Sequence, residues 1–213
     1  MIQLVTATKG KFSGTLLNTS TKNIINTSAF EHNTKPLHHV YNNAINQFKD
    51  TTDWIVFVHD DVIIEAPEAL ERQLNNLGNV YDVVGCAGIR EVKLSSPALW
   101  HLMGDKAQHR GAVAHLHGGK KYMTSFGPYP DRVILIDGVF MAAKTKVFDK
   151  ITFDETNPAG FHFYDLDFAM ACHKAGFKVG VGDIAITHAS PGLREFTQDW
   201  KNGDAWFLKK WLS

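Results

Sequence analysis

The run Trp54-Ile55-Val56-Phe57-Val58 contains no polar residue and stops abruptly at His59-Asp60-Asp61. A strand with one face in water alternates polar and apolar residues. A strand apolar at every position is covered on both faces, the usual situation in α/β sheets whose crossover helices lie on either side. The flanking sequence supplies such helices. Leu37, Val40, Tyr41, Ala44, Ile45 and Phe48 recur at three and four, the period of an amphipathic helix. Pro36 suits its first position, with Thr34 or Lys35 at the boundary. Pro67 opens a second helix carrying Leu70, Leu74 and Leu77, and Ile2 to Thr8, Asn23 to Thr27 and Tyr81 to Ala87 read as strands. The first 90 residues therefore follow a β–α–β–α–β pattern, which predicts a mostly parallel sheet flanked by helices.

From Gly88 to Asp131 the periodicity fades into a stretch holding Trp100, His101, His109, His115, His117 and the pair Gly118-Gly119. A segment of this length without clear elements is commonly functional. A lid hinged at Gly118-Gly119 is one expectation; a structural loop packed by Trp100 and Tyr122 is the other. Its histidines have no zinc spacing. Order returns with strands at Val133 to Ile136 and Val139 to Ala143. A helix through Phe168, Ala171, Cys172 and Ala175 ends at Gly176. Strands at Lys178 to Val181 and Ile184 to His188 follow, then a turn at Ala189-Ser190-Pro191-Gly192 and a closing helix from Arg194 to Trp211.

Composition narrows the function. The 213 residues include 22 basic and 22 acidic side chains, so the general attraction to phosphate polymers or anionic lipid is missing and nucleic acid is not an expected partner. An apolar share of 44% is enough to fold one compact domain. Two cysteines, Cys86 and Cys172, do not make a disulfide framework and read as buried thiols. The N-terminus has no export signal and no stretch of 18 residues lacks a charge, so a cytoplasmic protein without a transmembrane segment is expected.

The polar groups that follow the apolar strand carry the chemistry. Ligands of open α/β sheets bind beyond the carboxyl ends of the strands, where two adjacent acids and a histidine repel one another unless a cation or donor compensates. A plain turn with one aspartate capping the next helix is the alternative. His188 ends the last apolar strand and could join Asp61 in a carboxylate–imidazole site for a divalent ion. Asp165 and Asp167 stand at the start of a helix, where acids complement the dipole and cap free N–H groups. Capping explains one of them, and the other could act as a general base.

Five motifs occur in order: Tyr41-Asn42-Asn43-Ala44-Ile45, Val56-Phe57-Val58-His59-Asp60-Asp61-Val62, Asp137-Gly138-Val139-Phe140, Phe161-His162-Phe163-Tyr164-Asp165-Leu166-Asp167 and Thr187-His188-Ala189-Ser190. Together, from about Asn42 to Gly192, the set resembles the glycosyltransferase family 2-like proteins of the GT-A fold, in particular a bacterial subgroup with a His-x-Asp-Val strand-end motif. The resemblance implies a Rossmann-like, mostly parallel central sheet in a single domain over 1–213, with a nucleotide-binding half (1–90) and an acceptor-side half (91–213). It implies a nucleoside-diphosphate sugar donor, a glycan or lipid-linked acceptor, and a role in bacterial surface polysaccharide synthesis. Thr6, Thr8, Asn43, Asp60 and Asp61 would meet the nucleotide sugar. Asp61, with His59 and His188, would hold manganese or magnesium. Asp137, Gly138 and Tyr164 would lie on the acceptor side, and Asp165 would be the catalytic base of an inverting transfer. Relatives usually carry aspartate where this chain has His59 and an acidic residue where it has Tyr164.

Two other functions compete. A sugar-phosphate nucleotidyltransferase shares the layout and the metal, but Thr8-Lys9-Gly10-Lys11-Phe12-Ser13-Gly14 lacks the density and order of its glycine-rich loop. A non-catalytic sugar-nucleotide or glycan binder would keep the crevice and tolerate the exchanges at His59 and Tyr164.

Overall fold

The computed structural model describes residues 1–92, 95–190 and 195–212, and among them thirteen strands and six helices. The strands are β1 (Ile2–Ala7), β2 (Thr27–Phe30), β3 (Trp54–Val58), β4 (Val62–Ile64), β5 (Val83–Gly85), β6 (Ala87–Ile89), β7 (His109–His117), β8 (Lys120–Gly127), β9 (Asp131–Arg132), β10 (Leu135–Ile136), β11 (Phe140–Lys144), β12 (Val179–Val181) and β13 (Ile186–His188). The helices are α1 (Leu16–Thr21), α2 (Leu37–Phe48), α3 (Leu70–Gly78), α4 (Trp100–Met103), α5 (Tyr164–Lys174) and α6 (Gln198–Trp211).

A seven-stranded sheet runs in the order β2-β1-β3-β11-β5-β12-β9. Only β11 and β9 oppose the common direction, so the sheet is mostly parallel and α/β in character. β3 lies at its centre, all five residues buried. Alternate side chains point to opposite faces of a strand. Ile55 and Phe57 accordingly enter the core with α2 and α5, while Trp54, Val56 and Val58 enter the core with α3 and the second sheet. That two-sided burial is why the run tolerates no polar residue. β11 comes from the second half of the chain yet sits between β3 and β5, so the two halves share one sheet.

The second sheet, β10-β6-β7-β13-β4 with β8 on the free side of β7, lies beside it. The chain crosses between sheets at Cys86: β5 belongs to the first and β6 to the second. The single strand expected over Tyr81 to Ala87 is therefore two short ones. The expected strand at Asn23 to Thr27 is displaced to Thr27–Phe30, because the amides of Ile24 and Ile25 turn back to the Thr21 carbonyl. The largest difference lies between Gly88 and Asp131. It is no irregular loop, since β7 and β8 form a long antiparallel hairpin. Gly118 and Gly119, expected as a hinge, are its two-residue turn with φ of 56° and 74°, the paired positive values that a tight hairpin turn demands.

Both cysteines are buried free thiols. No helix among the described residues is long and apolar enough to cross a membrane. Pro191, Gly192 and Arg194, where the turn and the start of the last helix were expected, lie outside the described residues; α6 itself begins at Gln198, its first turn capped by the Thr197 hydroxyl.

Candidate functional site

The edge beyond β3 is built by three backbone ties. The His59 amide donates to the Val139 carbonyl at 3.2 Å, holding the strand end against the turn before β11, and the Ala189 amide donates to the Asp61 carbonyl at 2.9 Å. The amide of Leu17 donates to Asp60 at 3.2 Å. The apolar run thus ends where β3, β11 and β13 converge, and His59, Asp61 and His188 meet there with one potential ligand atom from each, all within 4.8 Å of one another.

The electrostatics of this cluster are those of a cation site. His188 Nε2 stands 3.3 Å from Asp61 Oδ1. That oxygen is shielded from solvent, and the His188 imidazole is its near neighbour, so a carboxylate and an imidazole nitrogen face the same small space. Burial would raise Asp61, but His188 and His59 outweigh it and hold the carboxyl below its usual range. Burial lowers His59, leaving a neutral imidazole with a lone pair to offer. Two imidazoles and a carboxylate suit a divalent transition metal, so the residues fit the cation that the resemblance implies.

A hydrogen-bonded chain joins this cluster to Asp165. His59 Nε2 lies 2.9 Å from the Tyr164 hydroxyl, the hydroxyl lies 3.2 Å from the Gly138 carbonyl, and the Gly138 amide donates to Asp165 Oδ2 at 2.8 Å. Asp137 fixes the same turn by accepting from the Val139 amide at 2.9 Å. A Cβ at Gly138 would come within 2.5 Å of the Tyr164 oxygen and 2.8 Å of Asp165 Cβ, so only glycine allows this approach. Asp165 is pushed up to about 7, first by burial and then by the charge of Asp137. A carboxyl held near neutrality is matched to proton transfer.

The position of Asp165 is set by Phe163. This residue precedes α5 with φ of 65°, left-handed backbone that a bulky side chain adopts only when its surroundings impose it. Its ring packs at 5.4 Å from Trp200 and 6.2 Å from Phe207 of α6. Asp167 was expected to cap α5 or meet solvent. It does neither: it is buried, and accepts from Lys210 Nζ and Trp211 Nε1, each at 2.7 Å. It fastens α6 across the helix that carries Asp165.

On the other side of Asp61 opens a cleft of about 520 Å³, lined by Thr8, Gly10, Lys11, Thr15, Asp60 and Asp61 among others. Thr8, Asp60 and Asp61 are thus together as expected. Thr6 is fully buried in β1, its hydroxyl oxygen without a hydrogen-bond partner among the described residues. Asn43 lies on the exposed face of α2 and does not line the cleft; its neighbour Asn42 instead holds the Phe153 backbone and Glu155. Lys11 and Thr15 were missed, although a polar, glycine-containing loop directly after the first strand is the signal for such residues. Phe161 was missed as a neighbour of His59, its ring 5.5 Å away.

A profile of the Glycosyltransferase like family matches residues 21–211, which takes in every group described above apart from Thr6, the side of the cleft formed by Thr8 to Thr15 and the Leu17 amide. The chain belongs to that family. No curated protein matches its sequence. Among solved structures this family member is similar to the crystal structure of A197 from STIV, at 16% identity, over 89% of this chain and 82% of that one, with a TM-score of 0.49.

Proposed function

We propose that this family member transfers a sugar, with inversion, from a nucleoside-diphosphate sugar to a hydroxyl of a glycan or lipid-linked acceptor, using a divalent cation held by His59, Asp61 and His188. The observation that carries the reading is the cluster of Asp61 with the imidazoles of His59 and His188, one potential ligand atom from each within 4.8 Å, with Asp61 also lining the cleft and the cluster linked through Tyr164 and Gly138 to a carboxyl raised to about 7.

Thr8, Asp60 and the Lys11–Thr15 loop would receive the nucleotide, in the half of the chain expected to bind it. When bound, the cation supplies charge stabilisation to the diphosphate. In the transfer, the acceptor oxygen forms a bond to the anomeric carbon as the bond from that carbon to the diphosphate oxygen breaks. The departing diphosphate keeps the electron pair, and ionised Asp165 takes the acceptor's proton. The Gly138 amide orients the carboxylate for this step. A role in bacterial surface polysaccharide synthesis is the setting that the resemblance suggests for such a transfer.

The test is a panel of nucleotide sugars incubated with the protein and manganese, followed for free nucleoside diphosphate with and without hydroxyl acceptors. One donor is consumed by the wild type, and neither Asp61→Asn nor Asp165→Asn consumes it. A protein that binds nucleoside diphosphates without ever turning over a donor is a binder, and the proposal falls.

A further inference from the structure

Strand register arranges an aromatic row that leads away from the candidate cation cluster, and none of the residues in that row lines the cleft. His188 is paired with Val62 and with His115, and His115 with Tyr122, so these side chains share one face of the second sheet. The rings follow one another: His59 to His188 at 5.7 Å, His188 to His115 at 6.4 Å, and His115 stacked on Tyr122 at 5.2 Å and 27°. Phe161 flanks the start of the row beside His59. The two rings at its borders, Tyr122 and Phe161, are each 54% exposed.

We propose that this row is the acceptor subsite, with a pyranose ring of the acceptor glycan stacked on the open face of Tyr122, whose other face lies against His115. The inference rests on the transferase reading above and names the acceptor's class and place. A pyranose presents a face of C–H bonds and a rim of hydroxyls. It therefore stacks on flat rings while its hydroxyls meet polar edges such as the Tyr122 oxygen and the imidazole nitrogens. Asp61 belongs to both neighbourhoods, lining the cleft and touching His188. Donor and acceptor would thus approach the cluster from the cleft and from the row. The hairpin β7–β8 exists on this account to carry the row outward: its outer strand pairs with β7 alone, and Tyr122 is held in place by the stack rather than by a core.

The experiment uses the whole protein with manganese and a nucleoside diphosphate, applied to an array of oligosaccharides, for wild type, Tyr122→Ala and Tyr122→Phe. Tyr122 is exposed, so both variants fold, which thermal unfolding verifies. The wild type retains a subset of glycans. Tyr122→Ala loses about tenfold in that retention, the scale of one lost aromatic stack with its buried area, and Tyr122→Phe keeps most of it. Nucleoside-diphosphate affinity is unchanged in both. Equal glycan retention by Tyr122→Ala overturns the proposal, as does a wild type that retains no glycan. A fall in nucleotide affinity in Tyr122→Ala overturns it too, since the ring would then serve the base. Failure of the transferase reading is separate: it appears as manganese-independent nucleotide binding or absent turnover, while ring-dependent glycan retention persists.

Discussion

His59 and Tyr164 stand 105 residues apart in the chain and meet at 2.9 Å through the imidazole Nε2 and the phenol oxygen. Both are uncharged partners in a region otherwise rich in carboxylates, with Asp61, Asp137 and Asp165 close by. Burial lowers His59 and raises Tyr164, so both are neutral near pH 7. The two form one neutral hydrogen-bonded pair, and Asp61 is the carboxylate of the His59, Asp61 and His188 cluster.

Tyr164→Phe removes the hydroxyl that serves both His59 and the Gly138 carbonyl. Leaving buried polar groups unmet costs about 1–3 kcal/mol, measurable by urea unfolding. Loss of a group that orients a metal-binding histidine weakens metal affinity about ten- to a hundredfold, measurable by manganese calorimetry. Unchanged affinity would separate Tyr164 from the cluster.

Asp165 titrates near 7 because burial and Asp137 oppose its charge. Two pH effects follow, of opposite sign. Transfer needs the ionised carboxylate, so the rate of wild type rises with a midpoint at about 7, and Asp165→Asn loses about 10²-fold or more at pH 8. Folding prefers the protonated form. Because the folded value lies above the unfolded one, this stability is complete below the ordinary aspartate range and is lost as pH rises through about 7. Asp165→Asn lacks the loss, so its melting temperature relative to wild type is higher at pH 8 than at pH 4. A constant difference would contradict the buried, raised carboxyl.

Lys210→Met leaves Asp167 buried against Trp211 without its cation. Breaking a buried ion pair from one side costs about 3–5 kcal/mol; the Lys210 end is partly solvated, so a loss of about 2 kcal/mol in chemical unfolding is expected. Because α6 also packs on Phe163, donor turnover should fall with stability while nucleotide affinity holds.

Gly138→Ala introduces a methyl group into contact with Tyr164 and Asp165. Gly138 is buried beside core Val139 and Tyr164, so thermal unfolding should show a lower stability, and turnover of the folded protein should drop by about 10²-fold through misplacement of the carboxylate. Near-normal activity would show that the Gly138 contacts do not position Asp165.

What the sequence could reveal was governed by local signals. The all-apolar β3, the helical spacing of α2 and the polar strand end at His59 to Asp61 are local, and each lies where its pattern placed it. The β7–β8 hairpin was obscured because its strands mix histidine, lysine and glycine with apolar residues, so no clean alternation marks them. Asn43 carried a motif but faces solvent on α2. Asp167 looked like a cap because a helix start attracts acids, whereas its partners Lys210 and Trp211 lie more than forty residues on. Contacts across such separations leave no periodic trace.

The most direct measurement is calorimetry of a panel of nucleoside diphosphates against wild type and Asp61→Asn, each with and without manganese. The account predicts that at least one diphosphate binds wild type only when manganese is present, and that Asp61→Asn loses this binding while keeping its fold. Equal affinity with and without manganese in both proteins would contradict it.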